Sequence, residues 1–115
     1  MLPPPIILLV DHVAPMRRAI RRLLGEHRFT WQEVSDEEEL LQRSRQTPPV
    51  LVVIGDRTAN AIPRLRAQGC VAPVVQLTNE LPRSAPADGV VLIDRLQAGA
   101  RLPALVAKLM AQAAV

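Results

Sequence analysis

The sequence predicts a doubly wound α/β domain, a parallel five-stranded sheet with helices on both faces. Three observations predict it. Short, continuous apolar runs at residues 6–10 and 50–54 read as strands buried on both faces. Between such runs, apolar residues recur at helical spacing. Strands that alternate with helices must pair in parallel through crossovers. The composition agrees. Of the 115 residues 49% are hydrophobic, yet only Phe29 and Trp31 are aromatic, so the core must be built from Val, Leu, Ile and Ala.

Each element has its own signal. The first strand, residues 6–10, stops at Asp11. Met16, Ala19, Ile20, Leu23 and Leu24 then mark one face of a helix, with Arg17, Arg18, Arg21 and Arg22 on the others. Pro15 suits its first turn and Gly25 its C-terminal end. Residues 29–34 alternate apolar and polar, as a second strand would. Asp36 followed by Glu39 is a capping-box start, and Glu37 and Glu38 favour the positive N-terminus of the helix they open. That helix should end near Thr47, before Pro48 and Pro49. The third strand, residues 50–54, runs into Gly55 and Asp56. Asn60 is expected to cap a short helix closed by Gly69. Residues 71–77 and 90–93 read as the last two strands. Leu102, Leu105, Val106, Leu109 and Met110 give a final amphipathic helix. Residues 79–88 break the rhythm with Pro82, Pro86 and little apolar content, so the fourth helix of the pattern is expected to be short or missing. No repeat or linker divides residues 1–115, which are expected to form one domain.

Composition narrows the function. One cysteine, Cys70, excludes an intramolecular disulfide and a Cys-clustered zinc site, and its expected place is a small apolar one at the start of the fourth strand. The longest apolar run is too short to cross a membrane. Met1-Leu2 is followed by three prolines with no basic stretch, so a cytoplasmic location without a signal peptide is expected. Fourteen basic against eleven acidic residues give a net charge of +3. That modest excess comes with neither a stacking platform nor a helix-turn-helix, so nucleic acid is not the expected partner. Much of it sits on the first helix, where Arg17, Arg18, Arg21 and Arg22 are candidate partner-binding residues. The Glu37–Glu39 run has the opposite sign, so the two patches are expected to meet between subunits or partners.

In such sheets the site lies at the C-terminal ends of the strands. Asp11, His12, Gly55, Asp56, Thr78, Asp94 and Arg95 fall there. With these residues the chain resembles the receiver domain of two-component response regulators. Leu8-Leu9-Val10-Asp11-His12 through Arg17 is similar to that family's opening strand, acidic pair and first helix. Val34 to Leu40 is similar to its second strand end and second helix, and residues 49–56 to its third strand. The resemblance implies a flavodoxin-like (βα)5 sheet in the order 2-1-3-4-5. It also implies aspartyl phosphorylation supported by Mg²⁺, a Ser or Thr hydroxyl and a Lys clamp.

The chain departs from that pattern. Asp11 fits the first acid, but His12 stands where the second belongs, and imidazole is a poor Mg²⁺ ligand. The acceptor position falls on Gly55, with Asp56 one residue beyond, and one step along a strand reverses the side chain. Thr78 fits the hydroxyl. The Lys position falls near Ile93 or Asp94, with Arg95 beside it. The resulting expectation is a stand-alone, atypical receiver-like module without enzymatic activity of its own. It would act through protein contacts in trans, with a histidine kinase or another signalling component, and as a homodimer. It would need no cofactor. The alternative is a working receiver phosphorylated on Asp56, with Mg²⁺ held by Asp11 and Asp56.

Overall fold

The computed structural model describes residues 4–79 and 89–113. The elements follow as β1 (Ile6–Val10), α1 (Ala14–Leu24), β2 (Thr30–Val34), α2 (Glu37–Gln46), β3 (Leu51–Gly55), α3 (Ile62–Ala67), β4 (Val74–Thr78), β5 (Val90–Asp94) and α4 (Ala98–Ala113). All strand pairs are parallel and the sheet runs β2-β1-β3-β4-β5. The expected doubly wound sheet and its strand order are therefore observed. The expected loop over residues 79–88 lies outside the described residues beyond Asn79.

Side-chain alternation splits the core into two layers. Ile7, Leu9, Leu51, Val53, Val75, Leu77 and Ile93 face α1 and α4, where they meet Ile20, Leu24, Leu102 and Val106. Leu8, Val10, Val52, Ile54 and Val74 face α2 and α3, where they meet Leu40, Leu41, Ile62 and Leu65. β3 is buried along its whole length. This two-sided burial is why residues 6–10 and 50–54 are continuously apolar.

The punctuation residues act as their chemistry dictates. The Asp36 carboxylate accepts the Glu39 N–H at 2.8 Å and opens α2. Gly25, at φ +99°, closes α1. Arg66 ties the lower edge of the sheet together, donating to the carbonyls of Cys70 at 3.0 Å, Ala72 at 2.6 Å and Gly89 at 3.4 Å. Gly89 has φ +75°, which strains any L side chain, and a Cβ there would lie 2.8 Å from the Arg66 guanidinium and push it aside.

Three local expectations are corrected. Asn60 does not cap a helix; it lies inside a 3-10 turn, Asp56–Ala61, that runs directly into α3. The tight i→i+3 turns use the backbone groups a side-chain cap would have served. The fourth strand starts at Val74, and Val71 is 90% exposed. Pro73 has no N–H to donate, so the ladder begins only after it, although its carbonyl still accepts from Val52 at 3.0 Å. The second strand starts at Thr30, one residue late, where the Thr30 N–H reaches the Pro5 carbonyl.

Leu102 is fully buried between α4 and the sheet. Leu102→Ala is expected to cost about 2–5 kcal/mol in urea unfolding, against about 1 kcal/mol for Asp36→Ala at the α2 cap. Equal costs would show that the α4 layer is not part of the cooperative core.

Candidate functional site

The C-terminal ends of β1, β3 and β5 converge on one buried carboxylate. Asp11 directly follows β1 and its side chain is 1% exposed. Its Oδ1 accepts the Val13 N–H at 2.9 Å, which turns the chain into α1. Its Oδ2 accepts from Arg95 Nη1 at 2.9 Å. Both oxygens are thus satisfied, as a buried carboxylate requires. The Arg95 guanidinium also reaches the Leu77 carbonyl, at 3.5 Å. It spans the sheet from β5 to β1 across the end of β3.

Gly55, the last residue of β3, leaves room for that crossing. A Cβ at this position would lie 3.0 Å from Arg95 Nη2 and 3.3 Å from Asp11 Oδ2. The side-chain space at the end of the central strand is filled by the ion pair instead. His12 borders the pair from outside. Its side chain is 49% exposed, with Nδ1 3.9 Å from Asp11 Oδ1.

Asp56 turns elsewhere. Its carboxylate accepts from Gln76 Nε2 at 3.0 Å and from the Asn79 N–H at 3.2 Å. Gln76 is paired with Ile54 across β3 and β4, so Asp56 belongs to the α2–α3 side of the sheet end. Partial burial raises the Asp56 pKa, but the hydrogen bonds from Gln76, Asn79 and Thr78 and the charge of Arg95 outweigh it. The net shift is downward from the ordinary 3.8. Thr78 is buried and hydrogen-bonded to Asp56. Asp94 closes its own turn, accepting the Leu96 N–H at 2.9 Å.

The structure thus brings Asp11, His12, Gly55 and Arg95 into one cluster, and Asp56 and Thr78 into a second. Among the described residues the two carboxylates accept hydrogen bonds from different groups, although the charge of Arg95 acts on both. Mg²⁺ requires several oxygen ligands in near-octahedral array. Asp11 already neutralises a cation, and among the described residues no three His, Cys, Asp or Glu side chains are grouped to hold a metal ion.

The arginines of α1 divide in two. Arg17 Nε and Arg21 Nη1 bind the two oxygens of Glu33 on β2, at 3.0 and 2.8 Å, and Arg17 also donates to the Asp11 carbonyl. Arg21 further pairs with Glu26 at 3.0 Å. Arg18 and Arg22 are exposed, with no ion pair among the described residues. Glu37 and Glu38 are held by Arg64, at 2.8 and 3.2 Å. α1 and α2 cover opposite faces of the sheet, so the two charge patches do not form one surface. Glu33, Gln76 and Asn79 were not among the residues expected at the site. Glu33 was legible as the one acid on β2, one residue before its end.

The comparisons agree with this architecture. No family model matches the chain, and no curated protein matches it. Solved structures do. The Francisella response regulator 1452 receiver domain superposes with a TM-score of 0.74 at 16% identity, covering 95% of this chain and 98% of that one. The fold is that of a response regulator receiver domain. The signal receiver domain of a Pseudomonas fluorescens Pf-5 HD domain-containing protein gives 0.72 at 21% identity, covering 99% of this chain and 93% of that one. A response regulator receiver protein from Pseudoalteromonas atlantica gives 0.76 at 19%, covering 95% and 99% respectively. At the strand ends of this fold Asp11 and Arg95 form an ion pair beside Gly55.

Two outcomes test the geometry. Arg95→Ala leaves a buried carboxylate unpaired. Because Arg95 is itself 17% exposed, the loss is expected at the low end of the ~3–5 kcal/mol for breaking a buried pair. Replacing both partners, as Asp11→Leu with Arg95→Met, should recover much of it in denaturant unfolding. Additive losses would refute the coupling. For Asp56 the folded pKa is depressed, so its stabilisation is present above 3.8 and is lost as pH falls through the lowered value. Gln76→Ala should move the Asp56 carboxyl titration, followed by NMR, back toward 3.8. An unmoved titration would show that Gln76 does not hold it.

Proposed function

We propose that residues 1–115 form a single receiver-like signalling domain that works by protein–protein contact without the aspartyl phosphorylation cycle. The observation that carries this reading is the Arg95–Asp11 pair seated over Gly55. Phosphoryl transfer to an aspartate needs an acceptor, a hard cation and a clamp that meets the transferred oxygens. Here the acceptor position has no side chain. The acid that would hold the cation is neutralised by a fixed guanidinium, and that guanidinium is already engaged.

A receiver fold supports a place in two-component signalling, with a histidine kinase or another component of the pathway as partner. No described helix is long and apolar enough to cross a membrane, which suits a cytoplasmic location. We place a homodimer contact at the β5 edge, where Val91 and Leu92 are only partly covered.

The test is chemical. Protein incubated with Mg²⁺ and acetyl phosphate should show no phosphoryl mass increment. With beryllofluoride, the amide resonances of residues 11, 55, 56, 78 and 95 should stay in place. A hydroxylamine-sensitive phosphoryl group on Asp56 would overturn the reading and restore the working receiver.

A further inference from the structure

At the opposite end of the molecule from Asp11, α1 and α4 leave a groove between them. It has a volume of about 180 Å³ and is walled by Leu23, Phe29, Pro103, Ala107 and Met110. Its lip is apolar and open to solvent: Leu23 is 37% exposed, and Pro103 and Ala107 are exposed. The one charged residue that lines it is a cation, Arg28. Neither α1 nor α4 contains an Asp or Glu, whereas together they carry Arg17, Arg18, Arg21, Arg22, Arg101 and Lys108. Glu26, just beyond α1, is held by Arg21. Arg28 lines the groove with its guanidinium over the Phe29 ring, 5.7 Å from the centroid. Neither Arg22 nor Arg28 has an ion pair among the described residues.

An apolar slot lined by one cation without an ion pair among the described residues, with the neighbouring Glu26 held by Arg21, disfavours basic segments and favours an acidic one. We infer that this groove docks an acidic segment of a partner protein, which seats one aliphatic side chain between Leu23 and Ala107 and lays its carboxylates on Arg22 and Arg28. The inference stands whether or not Asp56 accepts a phosphoryl group, because none of the strand-end residues enters it.

The chain carries its own reporter. Phe29 walls the groove and meets Trp31, the sole tryptophan, edge to face with centroids 5.9 Å apart. Filling the groove should perturb Trp31 fluorescence. The probe is a synthetic Glu-rich peptide with one central Leu, titrated into the full chain at physiological salt. Two controls accompany it, a Lys-rich counterpart and the Glu-rich peptide with Ala in place of Leu. A saturable Trp31 change is expected with the Glu/Leu peptide and none with the Lys peptide. Affinity should fall roughly tenfold or more for Arg22→Glu/Arg28→Glu and also for Ala107→Gln, a neutral side chain that fills the slot without changing its charge. All these positions are exposed, and circular dichroism checks that the variants stay folded. No saturable change in the wild type, or equal binding of the Ala peptide, would overturn the inference. Equally tight binding of a single-stranded oligonucleotide through the same arginines would overturn it in favour of a general polyanion surface.

Discussion

β1 and β3 are covered on both faces, and the rest of the molecule is arranged around that constraint. A parallel strand buried on two sides has no position along its length for a charge, because each residue faces one apolar layer or the other. Polar chemistry is therefore confined to the strand ends, where the last residue escapes the layers. Asp11 and Gly55 are the first such positions on β1 and β3, and Arg95 is the first beyond β5. The same constraint fixes register. Ile7, Leu9, Leu51 and Val53 must face α1 and α4 together, so a slip of one residue would invert both cores at once. The site inherits its geometry from that register.

The ion pair at the strand ends satisfies a buried carboxylate from within the protein. A buried carboxylate needs a positive partner, and a guanidinium gives fixed geometry that a bound ion would have to be recruited to supply. Arg95 is suited to this where a lysine would not be, since its planar fork reaches Asp11 and the Leu77 carbonyl together. The result is a cross-brace among β1, β4 and β5. It holds these strand ends in one arrangement without a ligand.

The fold was largely legible in the sequence because two-sided burial writes continuous apolar runs and helices write a periodic pattern between them. The misreadings fall where local chemistry overrides pattern. At residues 71–73 apolar side chains continue the run, but Pro73 withholds the N–H that a ladder needs. At Asn60 a good capping residue sits in a turn that needs no cap. The candidate site was legible in its membership more than in its wiring. Asp11 and Arg95 are 84 residues apart, and nothing in either neighbourhood announces that they pair. Asp56 depends on Gln76, whose role comes from the cross-strand register with Ile54. That relation exists only once the sheet is assembled. The Glu33 bridge to Arg17 and Arg21 is hidden for the same reason, and it converts half of an apparent surface patch into internal bracing.

The crowding over Gly55 also decides what an acidic side chain at that position would meet. An acid introduced at that position would meet the Arg95 guanidinium at once and be captured by it, competing with Asp11 for the same cation. Neither acid would be left available for a new task.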